Sequence, residues 1–282
     1  MTPFDSYRQR PAARSYLFVP GDRPERFDKA WSAPADDIII DLEDAVPPPR
    51  KAAARDAIAG WLCAARPVWL RLNSGDSEWF GDDLALLARH GIAGVMLPKA
   101  EAIAPALAAL CEQHGLPIIA LVETALGLRR AEQLAAAPNV VRLAFGSLDF
   151  QVDLGIEGDD DGLLFFRSQL VLASRLGGLA APIDGVTPAV DDAAALRADT
   201  HRSRRLGFGA KLCIHPRQID EVHRVFSPSG DERAWAQRVQ QAMRDSNGAA
   251  VALDGKMIDR PVLLKAERIL AAPAADGCLR AL

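Results

Sequence analysis

Two acids offer this sequence's clearest chemistry. Glu123 stands in PIIALVET and Asp149 in VVRLAFGSLDF, each at the end of a β-branched and aliphatic run. Neighbouring runs of this kind bring their ends to one height, so the two carboxylates face a common site. Two hard oxygen ligands, completed by water and substrate oxygens, are how Mg²⁺ is usually held. A pair of salt-bridged or capping carboxylates is the alternative. Arg71, in PVWLRLNS, ends another run. Its planar fork suits bidentate binding of a carboxylate. It equally suits a buried partnership with Asp41 or Glu43, and both hold if a supporting acid steadies the fork. Asp41, Glu43 and Asp44 lie together in DDIIIDLED. Alternation sends 41 and 43 to one face if the strand persists. These acids either hold waters of the metal or orient Arg71 and Lys99. Asp44 serves as well as a cap for the helix that follows Pro48.

Arg23, Arg26 and Lys29 follow at three-residue spacing after Pro20-Gly21. A cationic helix start attracts phosphate, and a solvated helix face is the competing reading. The run from His201 to Arg205 reads as a basic helix end favoured by the macrodipole. His215, before Pro216, reads as a hydrogen-bonded scaffold residue. Gly158–Gly162 (GDDDG) lacks the alternate spacing of a calcium loop and reads as an acidic turn.

The elements that position these residues alternate. Runs occur at Arg14–Gly21, Asp36–Asp44, Pro67–Ser74, Gly94–Lys99, Pro117–Thr124, Val140–Phe150, Pro182–Thr187 and Ala210–Pro216. Their step of roughly 28 residues fits a βα unit. Most are continuously apolar, as parallel strands buried on both faces are. Between them, Asp82–His90, Glu101–His114, Ala125–Ala137 and Leu163–Gly177 read as helices, with Gly91 and Gly115 as stops. Eight such units close most economically into a (β/α)8 TIM barrel, with catalytic groups at the carboxyl ends of its strands. A doubly wound open sheet is the alternative. Asp41, Glu43, Asp44, Arg71, Asn73, Lys99, Glu123, Ser147, Asp149, Asp184 and His215 are the polar residues at those ends, converging on one cavity.

After an eighth helix at Arg217–Phe226 the pattern changes. Glu232–Arg244 and Pro261–Leu270 read as helices around a hairpin-like Asp245–Lys256, which contains Asn247-Gly248 and Asp254-Gly255. The expected organisation is a catalytic barrel over 1–226 and a C-terminal appendage over 227–282, too small for a core of its own.

The 282 residues suit one large α/β domain. A net charge of -4 argues against broad nucleic-acid binding. Cys63, Cys111, Cys213 and Cys278 form no CxxC pair, which leaves a zinc knuckle unsupported and points to reduced thiols in a cytoplasmic protein. The first three are expected in helices or strands. No signal peptide is visible before Arg14, and no stretch of about 18 apolar residues exists to span a membrane.

The segments RSYLFVPGDRPERFDKA, DDIIIDLEDAV, VWLRLN, GVMLPK, VETALG, LAFGSLDF, IDGV, GAKLCIHP and GKMIDRP, in this order, closely resemble the citrate lyase β-subunit-like family, with its malyl-CoA and citramalyl-CoA lyases. They span residue 14 to about 270. The resemblance implies a (β/α)8 barrel assembled as a homotrimer or trimer of dimers. It implies Mg²⁺ on Glu123 and Asp149, a carboxylate-binding Arg71, and substrate contacts from Glu123, Gly146, Ser147 and Asp149. Asp259, otherwise only a helix-cap candidate, is implied as an acid/base reaching a neighbouring subunit's site. Asp41 and Glu43 join Arg71 in the catalytic set. Coenzyme A is implied along Arg23, Arg26 and Lys29. Two departures stand out: Ala189 replaces an acid or amide of many relatives, and the C-terminal lid is shorter than in the larger malyl-CoA lyases.

The expected reaction is Mg²⁺-dependent carbon–carbon cleavage of a 3-hydroxyacyl-CoA to acetyl-CoA and a small 2-oxo acid, or the reverse condensation. An aldolase acting on a free hydroxy-acid would share the metal and Arg71 but leave the basic loop without a phosphate. A non-catalytic barrel subunit is the third reading, disfavoured by the intact acids.

Overall fold

The computed structural model describes residues 2–246, 248–275 and 279; Asn247 and Cys278 lie outside them. Eight parallel strands form a closed barrel in sequence order, the eighth pairing back on the first. They are β1 (Ser15–Pro20), β2 (Asp37–Asp41), β3 (Val68–Arg71), β4 (Ile92–Leu97), β5 (Ile118–Val122), β6 (Val140–Phe145), β7 (Ile183–Asp184) and β8 (Ala210–Cys213). Closure excludes the open doubly wound sheet.

The apolar runs are continuous because each strand serves two cores. Inside the barrel, Tyr16, Ile39, Trp69, Met96, Leu121 and Leu212 pack together. Their sequence neighbours Leu17, Ile40, Leu70, Leu97, Val122 and Cys213 point outward and pack with the helices. This two-state alternation decides which polar strand-end residue faces the cavity.

The intervening helices are shorter than the apolar spacing suggests. Phe80–Asp83 is one α-turn that continues as a 3-10 helix over Leu84–Ala88. Gly91 is therefore no helix stop. It lies beside the Cys63 backbone, where a β-carbon would come within 2.6 Å of a carbonyl oxygen. Gly115 does end its helix in the left-handed conformation, but that helix starts at Pro105, with Glu101 outside it. The stretch from Ala125 breaks at Arg130 into Ala125–Arg129 and Ala131–Ala135. Cys111 and Cys213 occupy a helix and a strand as expected, whereas Cys63 follows the helix Lys51–Trp61 in a loop.

The polar N-terminus also folds. Thr2 and Asp5 form a reciprocal cap on the helix Pro3–Gln9. This helix covers the amino end of the barrel: Tyr7 meets Trp69 edge-on at 5.4 Å, and Arg10 pairs with buried Asp37 at 2.6 Å.

The C-terminal residues form the helices Gly230–Asp245 and Arg260–Ala271 around an antiparallel hairpin, β9 (Val251–Leu253) and β10 (Lys256–Ile258). Asp254 and Gly255 make its turn, both left-handed as a two-residue hairpin loop needs. Contrary to expectation, this unit has a small core: Ala236, Val239, Met243, Ile258 and Ala266 bury one another. Among the described residues no helix is long and apolar enough to cross a membrane.

Candidate active site

The carboxyl end of the barrel holds a cavity of about 340 Å³ lined by Asp41, Asp44, Arg71, Glu123, Gly146, Ser147 and Asp149, with Phe18, Leu121, Val186, Leu212 and Ile214 as apolar wall. Parallel register places Asp41 directly beside Arg71 across β2 and β3. Asp41 accepts from Arg71 Nε and Nη2, both at 2.7 Å, and from the backbone N–H groups of Glu43 and Ala45. Burial pushes the Asp41 carboxyl up, but the Arg71 charge and these four bonds outweigh it and hold it below the usual carboxylate value. Asp41 is thus committed to aiming Arg71. The Phe18 ring lies 4.9 Å from the guanidinium carbon. Nη1 remains, facing Glu43 Oε2 at 2.9 Å and Asp44 at 3.3 Å. Asp44 is 55% exposed.

Glu123 is buried at the end of β5, with one oxygen accepting the Lys99 N–H at 2.8 Å. Burial, then the charge of Glu43, push its carboxyl up to about 8; Arg71 and the Lys99 N–H only partly offset them, and Asp149 raises it further. Asp149 lies in the first turn of the helix Ser147–Leu154, with its side chain on the same cavity. Gly146 leads into that turn. A β-carbon there would sit 2.3 Å from Glu123 Cγ, so only glycine leaves the carboxylate its place. Gly146→Ala should displace Glu123 and weaken Mg²⁺ binding at least about tenfold, read by calorimetry, with the melting temperature lowered by the overpacking.

These residues fit a divalent cation. Five carboxylates, from Asp41, Glu43, Asp44, Glu123 and Asp149, surround two cationic side chains, Arg71 and Lys99. Glu43 Oε2 is buried without a hydrogen bond. Among the described residues no three His, Cys, Asp or Glu side chains group as a ready-made metal cluster. A Mg²⁺ ion needs only one or two protein carboxylates and leaves its remaining positions to water and substrate.

A second cavity, of about 740 Å³, shares Phe18 and Ile214 with the first and is lined by Arg26, Lys29, His215 and Arg217. Arg26 and Lys29 thus line one cavity. Arg23 does not line it; its guanidinium stands 3.7 Å from Glu25. His215 also caps the next turn by accepting from the Arg217 N–H, a scaffold role as read.

Other strand-end residues do not reach the cavity. Ile183 points inward, so Asp184 points outward, bonded to Arg167 and Ser203 beneath the helices. Asn73 is spent between Lys51 and Asp83. Arg202 pairs with Asp159 and Asp160, which accounts for both the basic run and the acidic turn. Asp259 caps the helix Arg260–Ala271 and is absent from its own chain's cavity. Sequence reasoning missed Lys51, a buried ammonium that binds the carbonyls of Leu42 and Glu43 and shapes the loop after β2. It missed Phe18 as well; a lysine or aromatic inside an otherwise ordinary element carries no local signal.

The chain matches the HpcH/HpaI aldolase/citrate lyase family over residues 14–216. It is 39% identical to the citrate lyase subunit beta-like protein of Deinococcus radiodurans over 274 residues, covering 91% of this chain and 96% of that protein. It is 35% identical to a (3S)-malyl-CoA thioesterase of Cereibacter sphaeroides, covering 92% and 96%. Among solved structures, the protein CitE of Mycobacterium tuberculosis in complex with magnesium, acetoacetate and coenzyme A superposes with a TM-score of 0.80 at 38% identity, covering 92% of this chain and 97% of that one. With the closed barrel and the acid–arginine cavity, these likenesses show that the chain belongs to the HpcH/HpaI aldolase/citrate lyase family, on its citrate lyase β-like branch.

Proposed function

We propose that this chain is a Mg²⁺-dependent lyase that cleaves a 3-hydroxyacyl-CoA of citramalyl-, malyl- or citryl-CoA type into acetyl-CoA and a 2-oxo acid, or joins them. The observation that carries this reading is Glu123: a buried carboxyl raised to about 8, beside Asp149 and the Arg71 fork in one cavity. Glu123 and Asp149 would hold the Mg²⁺. When bound, the ion supplies Lewis-acid polarisation of the oxygen that becomes the 2-oxo group.

The chain's own groups do the rest. Arg71, locked by Asp41, grips the substrate carboxylate through Nη1, which fixes orientation and lowers the entropic part of the barrier. The thioester passes between Phe18 and Ile214, and the coenzyme phosphates meet Arg26 and Lys29, with Arg23 at the outer edge. A base within the acid cluster takes the hydroxyl proton; Glu43, its carboxyl raised first by burial, suits that task. As the carbon–carbon bond breaks, its electron pair becomes the thioester enolate, and Ser147 and the Gly146 turn line that region. Asp259 from a second copy protonates the enolate carbon, completing acetyl-CoA. This assigns 1–226 as the catalytic barrel and 227–282 as a unit that contacts a neighbouring subunit in a trimer or trimer of dimers, in the cytoplasm.

Incubation with citramalyl-CoA, malyl-CoA and citryl-CoA should release acetyl-CoA and a 2-oxo acid from at least one of them with Mg²⁺, and from none after EDTA. The thioesterase-named relative favours a second reading, thioester hydrolysis. Free coenzyme A together with an intact hydroxy-acid would establish that reading instead.

A further inference from the structure

Lys99 carries two tethers and an unusual backbone. Its φ is +45°, and the only other described non-glycine residues with positive φ are Asn139 and Asp254, types that tolerate it in turns. A lysine held there is strained, and such strain persists where the surroundings over-determine it. The surroundings are two acids. The Lys99 N–H donates to Glu123 Oε2 at 2.8 Å, and Nζ donates to Glu43 Oε1 at 2.9 Å. The side chain is 41% exposed and lines a third cavity, about 300 Å³, with Glu43, Asp44, Lys51, Asn73 and Trp79.

The geometry points to Lys99 as a positioning residue that keeps Glu43 off the divalent-cation site while its backbone aims Glu123 into it. This rests on the reading that Glu123 and Asp149 hold the cation. Glu43 is the acid with freedom to stray, because its Oε2 is buried without a hydrogen bond and meets only the Arg71 charge at 2.9 Å. Released from Nζ, it would lean toward a cation on Glu123, a neighbour whose charge it already feels. A third carboxylate would then occupy a position the substrate oxygens need. Loss of the ammonium would also remove a positive charge that opposes a dication. Both effects tighten Mg²⁺ and slow turnover. A merely structural role gives the opposite sign, since a slack Glu123 binds Mg²⁺ more weakly.

The test uses the full chain with Lys99→Met, Lys99→Gly and Lys99→Arg. Lys99→Met keeps the backbone bond and removes the ammonium. Lys99→Gly also relieves the left-handed strain, so its melting temperature should lie above that of Lys99→Met. Calorimetric titration with MgCl₂ should show Kd lowered at least threefold in both, and restored in Lys99→Arg. In the thioester assay, kcat should fall at least tenfold in both with KM within threefold, and Lys99→Arg should recover most of it. Mg²⁺ binding that is unchanged or weaker in folded Lys99→Met overturns the assignment, as does undiminished kcat. If the parent itself turns over no thioester, the lyase reading fails alone, and the sign of the Mg²⁺ change still decides the role of Lys99.

Discussion

Glu123→Gln should cost at least roughly a hundredfold in thioester cleavage, beyond the 10–100-fold typical of losing a group that merely supports a metal ligand. In EDTA at pH 8 the same variant should be the more stable protein. The two outcomes share one cause. Burial, and then the charge of Glu43, raise the Glu123 carboxyl from its ordinary 4.5 to about 8. A carboxyl raised on folding adds stability that is whole below the unfolded value and lost as pH climbs through the folded one. Without metal, the protein should therefore weaken between about pH 4.5 and 8 by an amount on the order of 3–5 kcal/mol from this group. The amide keeps the shape and the Lys99 contact but carries no charge at any pH. The parent–variant difference in urea unfolding should accordingly be near zero at about pH 4 and largest at about pH 8. A flat difference would remove the buried-charge argument. Mg²⁺ should close the gap, because it binds the ionised form and expels the proton.

The barrel was legible because its physics is local and repeated. Apolar runs such as DIIID and IIALV are continuous only when both faces are buried, and that alone distinguishes parallel strands from a half-wet sheet. Site residues were legible to the extent that alternation carries through to the strand end. Asp41, Arg71 and Glu123 each continue the inward phase of Ile39, Trp69 and Leu121. Asp184 broke the expectation because Ile183 had taken the inward position, and the phase of a two-residue strand cannot be read from IDG. The over-long helices arose from the same source: Leu84–Ala88 keeps helical apolar spacing while winding as 3-10. The C-terminal core was hidden because Ala236, Val239 and Met243 on one helix meet Ala266 on another, a pairing that no local pattern announces. The backbone of Lys99 is tied to a partner 24 residues away, Glu123, and its residue type argues against the conformation it adopts. For Asp259 one chain is not enough, since the role assigned to it requires the cavity of a second copy.

Arg71→Met should damage folding severely, and a double variant should show why. Asp41 is 1% exposed, and both its oxygens are matched to Arg71. Removing one partner of a buried pair typically costs about 3–5 kcal/mol, because it strands the other charge. For a chain of this size that lowers the melting temperature by on the order of 10 °C. Arg71→Lys restores a charge but not the planar fork. An ammonium gathers its three donors on one nitrogen and lacks the spread fork that meets both Asp41 oxygens and reaches toward Asp44, so kcat/KM should stay at least about a hundredfold down while stability largely recovers. The combination Asp41→Asn with Arg71→Met separates the two functions of the pair. With the stranded carboxylate neutralised, the melting temperature should rise well above that of Arg71→Met alone, yet cleavage should remain as low. Stability and activity recovering together would mean that Arg71 acts only as scaffold. Stability recovering alone leaves Nη1 as the donor that grips the substrate, with Asp41 the residue that makes a buried guanidinium tolerable there.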